Sequence, residues 1–195
     1  MNSAPRAKRL AAALATIGCA ALLSCRAKEV PPRTVRPLTA TKLAAAKPVQ
    51  LQTVDKTGYD TAIAKLSGKV VLVDFWATWC EPCMEQLPHT LALGDKSRER
   101  GLATVTVSLD EPKSSDSVAA VLASKNGSGA TNLISQFGGS SQSMEEFDIS
   151  SGAVPFYKLY DRSGRLRQTF GITPSAAKQF TTADIEAAVE QLLAE

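Results

Sequence analysis

Val70-Val71-Leu72-Val73-Asp74-Phe75-Trp76-Ala77-Thr78-Trp79-Cys80-Glu81-Pro82-Cys83, residues 70–83, joins an apolar run to two cysteines separated only by Glu81 and Pro82. The run Val70–Trp76 is interrupted by a single carboxylate, Asp74. Continuous apolar character of this kind suits a strand covered on both faces, as in the middle of a parallel or mixed sheet. Immediately downstream, Met84, Leu87 and Leu91 fall at helical spacing and predict a helix from Glu81 to about Arg98, with a kink at the internal Pro88. The cysteine pair therefore sits where a central strand hands over to a helix.

Two thiols so close together can form a staple, half of a metal site, or a redox couple. A structural zinc site wants four Cys or His ligands, and beyond this pair the folded region offers only His89. Zinc within one chain is disfavoured; an intermolecular site or a copper(I) dithiolate stays compatible with the pair. As a staple, a disulfide closing so small a loop would constrain the unfolded chain little. A composition with 44% apolar and 21% charged residues supports a core without such help. The spacing does suit exchange chemistry. A thiol at a helix N-terminus meets unpaired N–H groups and the positive end of the dipole, which lower its pKa from about 8.5 toward neutrality. Cys83, one turn on, is placed to attack a mixed disulfide formed at Cys80. Pro82 favours early helical geometry, while the negative charge of Glu81 opposes thiolate formation beside it. Asp74 is costly to bury ionised, so desolvation is expected to raise its pKa toward neutral pH; the alternative is an aspartate at a strand end that reaches water.

Outward from this segment, strands and helices alternate, which makes the fold class α/β. A strand is expected at Leu51–Val54 and a helix from Tyr59 to Leu66, stopped by Ser67-Gly68. Further strands are expected at Leu102–Leu109, Asn132–Ser135, Pro155–Tyr160 and Leu166–Phe170, the last two joined by the turn Asp161-Arg162-Ser163-Gly164. Helices are expected at Asp116–Ser124 and Gln142–Phe147. A final helix begins near a capping box at Thr181–Asp184 and buries Ile185, Val189, Leu192 and Leu193.

The first residues carry a different signal. Arg6, Lys8 and Arg9 precede the apolar run Leu10–Leu23, too short to span a bilayer comfortably, which reads as a secretory signal over residues 1–24. The run ends in Leu22-Leu23-Ser24-Cys25, which resembles a bacterial lipobox and implies lipid attachment at Cys25; ordinary cleavage nearby would instead leave Cys25 a free thiol. Thr16-Ile17-Gly18-Cys19 is a weaker competitor. Residues 25–48 contain Pro31, Pro32, Pro37 and Pro48 without apolar periodicity and read as a tether. Residues 49–195 then form one domain. The net charge of +3 comes from the three basic residues of the signal, and the other 19 basic and 19 acidic residues balance. This leaves no electrostatic footprint for nucleic acid.

Val73-Asp74-Phe75-Trp76-Ala77-Thr78-Trp79-Cys80-Glu81-Pro82-Cys83, with Pro88 five residues later, resembles the active-site strand and helix of the thioredoxin superfamily. The exported setting, the Cys-Glu-Pro-Cys sequence and the long stretch before Pro155 are most similar to the membrane-tethered TlpA/ResA-like thiol-disulfide oxidoreductases, over about Val49 to Glu195. The resemblance implies a thioredoxin-like fold with a central mixed sheet flanked by helices and a helix-and-strand insertion before a cis proline, at Val154-Pro155. It implies Cys80 as nucleophile, Cys83 as resolving thiol, Asp74 as proton relay, Glu81 as tuning residue, and Trp79, Val154 and Pro155 as substrate-binding positions, with Trp79 shielding the disulfide. No cofactor beyond the Cys80–Cys83 disulfide and no metal are expected. Implied partners are protein thiols or disulfides, apocytochrome c among them, a membrane-embedded thiol reductant as electron donor, and the membrane through Cys25. The implied location is extracytoplasmic and membrane-anchored. The sequence departs from the thioredoxin pattern at Glu81 and at Phe156, and nothing in Thr104-Val105-Thr106-Val107 supplies the lysine that often accompanies the buried aspartate. A tethered non-catalytic adaptor and a copper(I) metallochaperone are the competing functions. A thiol peroxidase is disfavoured because no Pro-x-x-x-Thr/Ser-x-x-Cys pattern leads to Cys80.

Overall fold

Residues 70–76 form strand β2, buried along its entire length in the computed structural model, which describes residues 48–172 and 179–195. The burial has a simple cause. Val71, Val73 and Phe75 enter one apolar cluster with Tyr59, Val105, Leu122 and Phe147, whereas Val70 and Leu72 enter a second with Ile185, Val189 and Leu192. Alternate residues of one strand thus serve cores on the two faces of the sheet.

Six strands make that sheet in the order β1-β4-β3-β2-β5-β6. They are β1 (Leu51–Val54), β2, β3 (Leu102–Ser108), β4 (Thr131–Ser135), β5 (Phe156–Tyr160) and β6 (Leu166–Gly171). The pairs β1–β4, β4–β3 and β3–β2 are parallel; β2–β5 and β5–β6 are antiparallel. The helices are α1 (Lys56–Ala64), α2 (Glu81–Ser97), α3 (Ser115–Ser124), α4 (Ser141–Glu146) and α5 (Thr182–Ala194). This is a thioredoxin-like α/β fold with a mixed sheet flanked by helices.

Most predicted elements stand within a residue or two of their expected limits, with one clear correction. Helix α1 starts at Lys56 rather than Tyr59 because Asp55 caps it, its Oδ1 accepting the Gly58 N–H at 2.8 Å. Gly58, a poor helix former, had masked this start. Helix α2 continues through Pro88 without interruption, and at its start the side chain of Cys80 acts as N-cap. The segment between β3 and Pro155 supplies α3, β4 and α4, and β4 lies inside the sheet between β1 and β3. The insertion is thus a structural member of the core. Helix α2 approaches β3 closely at Gly94, where a Cβ would stand 2.1 Å from Thr104 Oγ1, so glycine is required by contact. The capping box at Thr181 and Asp184 is present. Among the described residues, no helix is long and apolar enough to cross a membrane. The expected signal over residues 1–24, Cys25 and the expected tether up to residue 47 lie outside the described residues.

Candidate active site

Cys80 and Cys83 are joined as a disulfide at the start of α2, with their Cα atoms 5.2 Å apart. Cys80 has extended backbone angles and its Sγ accepts the Cys83 N–H at 3.3 Å. A helix N-terminus leaves such donors without intrahelical partners, so this bond would also stabilise a thiolate at Cys80. The two sulfurs differ in access: Cys80 is 7% exposed and Cys83 1%. Pro82 and Glu81 are both exposed in the first turn of α2.

The Val154–Pro155 peptide is cis, and the Val154 carbonyl oxygen lies 3.7 Å from Cys80 Sγ. Sheet register brings it there. Phe156 pairs with Phe75, so the residues just before β5 stand beside the end of β2, where the loop to Cys80 departs. Gly152 and Ala153 are exposed next to this carbonyl, with the Gly152 N–H donating to the Ile149 carbonyl at 2.9 Å and the Ala153 carbonyl accepting from the Ser151 hydroxyl at 2.9 Å.

Asp74 is 1% exposed, and neither carboxylate oxygen has a hydrogen-bond partner among the described residues. Burial pushes its pKa up to about 7. The hydroxyls of Thr90 and Tyr157 lie near enough to favour the charged form, although neither reaches it with good hydrogen-bond geometry. Water access at a strand end is therefore ruled out for Asp74. Thr90 belongs to the buried stripe of α2 that also carries Cys83, Leu87 and Gly94, which places Asp74 under the same helix face as the inner cysteine. Among the described residues, the lysine missing from residues 104–107 has no stand-in on this face. Lys158 is buried, but it alternates with Tyr157 along β5 and so projects from the opposite face, its Nζ 5.9 Å from the Phe75 ring centroid and 3.7 Å from Asp148 Oδ2.

Sequence reasoning missed a second carboxylate. Asp110 accepts the Thr78 N–H at 2.9 Å, the Thr78 hydroxyl at 2.5 Å and the Ser108 hydroxyl at 2.7 Å. It ties the loop that carries Trp79 and Cys80 to the end of β3. A polar residue at the C-terminal end of a parallel strand next to the cysteine pair was the available signal. Trp79 is 62% exposed. One edge of its indole rests on the β4–α4 loop at Gly139, where a Cβ would come within 3.0 Å of the ring. The insertion thereby forms one wall of the site. Trp76 and Phe75, by contrast, are wholly buried packing residues. His89 is half-buried, with its Nε2 enclosed and without a hydrogen-bond partner among the described residues, rather than lying free on the surface.

A model of the AhpC/TSA family matches residues 43–185. The chain belongs to the AhpC/TSA family. This member is 27% identical over 118 residues, 60% of its length and 46% of the relative's, to "Thiol-disulfide oxidoreductase ResA" of Oceanobacillus iheyensis. It is 35% identical over 57 residues, 29% of its length and 33% of the relative's, to the ResA protein of Bacillus thuringiensis strain Al Hakam. The chain thus spans less than half the length of these curated relatives. A solved thioredoxin-family thiol:disulfide interchange protein from Chlorobium tepidum superposes with a TM-score of 0.50 at 21% identity, covering 67% of this chain and 83% of the other. That likeness carries the fold, and the ResA relatives carry the resemblance of the sequence.

Proposed function

We propose that the protein is an extracytoplasmic thiol-disulfide oxidoreductase that reduces protein disulfides. The observation that carries this reading is the Cys80–Cys83 disulfide at the N-terminus of α2, with the Val154 carbonyl of a cis-proline loop 3.7 Å from the outer sulfur. Cys80, the more accessible sulfur, attacks the substrate disulfide as a thiolate held by the helix N-terminus. The Val154–Pro155 backbone aligns the partner chain alongside it, and Trp79 offers an exposed apolar face. Cys83 resolves the mixed disulfide after giving its proton to Asp74, whose burial sets it to exchange protons near neutral pH. Glu81 tunes the pair by placing negative charge beside the nucleophile.

Support for the setting comes from the sequence and the ResA relatives. The lipobox-like Leu22–Cys25 would anchor the protein by a lipid on Cys25, and the tether would hold the domain clear of the membrane by up to about 70 Å. A membrane-embedded thiol reductant would return Cys80–Cys83 to the dithiol, and apocytochrome c cysteines are the proposed substrates. Nucleic acid is not a partner in this reading.

Cys83→Ala tests the proposal, because without the resolving thiol, mixed disulfides accumulate on Cys80. Recovery from cells of adducts that vanish in the Cys80→Ser/Cys83→Ala double variant is the expected result. Absence of cysteine-dependent adducts, together with failure of the intact protein to reduce a disulfide in a model protein, would overturn it. Tight copper(I) binding in that same inactive protein would move the dithiol to the metallochaperone function.

A further inference from the structure

Tyr157 and Gln86 are not part of the thioredoxin resemblance, yet they stand at Asp74, the buried carboxyl beneath the cysteines. Tyr157 lies directly opposite Asp74 in the antiparallel β2–β5 register. Directly opposed residues share a sheet face with Cβ atoms about 5 Å apart. The Tyr157 side chain is wholly buried, and its hydroxyl donates to Gln86 Oε1 at 3.0 Å. Gln86 is half-buried on α2. The phenol therefore has two acceptors within reach, one used and one without a partner.

The geometry points to Tyr157 as a positioning residue of the exchange reaction: its hydroxyl alternates between Gln86 Oε1 and the Asp74 carboxylate, and so sets how readily Asp74 takes the proton of Cys83. This rests on the reading of Asp74 as proton acceptor given above. In the disulfide state the Tyr157 hydroxyl is parked on Gln86, and Asp74 has no well-aligned donor among the described residues. When Asp74 is ionised, rotation of the phenol C–O–H brings a donor to it and stabilises the charge. In the resolving step the Cys83 S–H bond breaks and its proton goes to Asp74. The Cys83 sulfur then bonds to Cys80, the bond from Cys80 to the substrate breaks, and the substrate leaves as a thiolate that is protonated from solvent. Two electrons pass from the dithiol to the substrate disulfide. The hydroxyl returns to Gln86 once Asp74 is protonated.

Among the described residues, the surroundings leave the task to few groups. From α2 come Thr90, beside both Asp74 and the Tyr157 hydroxyl, and Cys83, two turns nearer the helix start on the same stripe. From β3 comes Thr106, opposite Asp74 in register, but its hydroxyl is committed to Asn132 Oδ1 at 2.9 Å. The buried side chains of α5 are all apolar. Burial beside the carboxyl holds the Tyr157 phenol far above its ordinary pKa, so it remains a donor throughout the working range.

The test follows the reaction of the reduced protein with 5,5′-dithiobis(2-nitrobenzoate) in a stopped-flow instrument as pH is varied. Attack by Cys80 releases the first thionitrobenzoate, and displacement by Cys83 releases the second. Tyr157→Phe should move the acidic limb of the second phase upward by about one pH unit, making it about tenfold slower below pH 7, with the first phase unchanged. Gln86→Ala, which frees the phenol for Asp74, should move the same limb downward. Opposite shifts establish the device; a Gln86→Ala profile that superimposes on the wild type, or moves upward, overturns it. Should Tyr157→Phe fail to fold, the direction of the Gln86→Ala shift alone decides. Asp74→Asn separates the two levels. If it removes the limb while the Tyr157 and Gln86 variants leave it in place, only the Tyr157 proposal falls; if the limb survives Asp74→Asn, the proton role of Asp74 falls and the Tyr157 proposal with it.

Discussion

The floor beneath α2 and the loop that carries Cys80 each hold a carboxylate shut away from water, Asp74 at 1% exposure and Asp110 at 4%. They differ in what surrounds the oxygens. Asp110 receives three hydrogen bonds from Thr78 and Ser108, whereas Asp74 receives none of good geometry among the described residues. A buried carboxylate with donors is a tie that holds two segments together. One without donors is a group that resists ionisation, and its proton becomes mobile near neutral pH. Burial alone does not separate the two roles; hydrogen-bond satisfaction does.

The largest expected effect concerns Asp74. Its folded pKa, about 7, lies above the ordinary value of 3.8, so the folded state holds the proton after the unfolded chain has released it. Stability from this group is therefore complete below about pH 3.8 and is lost as pH rises through about 7. Across that window the protein should lose roughly 4 kcal/mol relative to Asp74→Asn, whose stability lacks this slope. Denaturant unfolding of the disulfide form at a series of pH values checks it, and parallel curves for the two proteins would break the comparison from the Asp74 side.

Next in size is the tie. Asp110→Ala strips the acceptor from three donors at once and should cost about 3 kcal/mol at pH 7. Protease susceptibility of residues 77–80 should rise with it, and an unaltered unfolding midpoint would show that Asp110 holds nothing. Thr78→Val removes the hydroxyl half of the same tie while keeping the Thr78 N–H bond, so a smaller loss of about 1–2 kcal/mol is expected in the same measurement. Smallest is Gly139→Ala. The added Cβ must displace the Trp79 ring, which is free to move toward solvent, so stability should change by less than about 1 kcal/mol while the tryptophan emission shifts. An unchanged emission spectrum would mean that the insertion does not support Trp79.

Much of this architecture was legible from residues close together in the chain. The apolar run of β2, the helix start at Cys80, the hairpin at Asp161–Gly164 and the capping box of α5 are local patterns, and each appears where its chemistry predicts. The less legible parts depend on pairing. A short segment such as Thr131–Ser135 is readable as a strand, but its place between β1 and β3 follows from which edges are available once β2 and β3 have paired. Tyr157 reads as an ordinary strand aromatic until the register of β5 sets it against Asp74, 83 positions earlier in numbering. Asp110 reads as a loop residue until Thr78 is folded back onto it.

Sequence by itself determined the fold class, the cysteine pair at a helix N-terminus and an acid within the apolar strand before it, while the proline that faces the pair was implied by the family resemblance. It could do so because helix dipoles and the apolar patterning of a strand act over a few bonds or one turn. Tertiary structure decided that, among the described residues, Asp74 lacks a good donor while Asp110 has three, that Lys158 is on the wrong face to replace the missing lysine, and that Tyr157 lies opposite Asp74 and bonds to Gln86. Those outcomes are settled by strand register and helix packing, since a shift of one residue along β5 would exchange the neutral phenol of Tyr157 for the amine of Lys158 beside the acid.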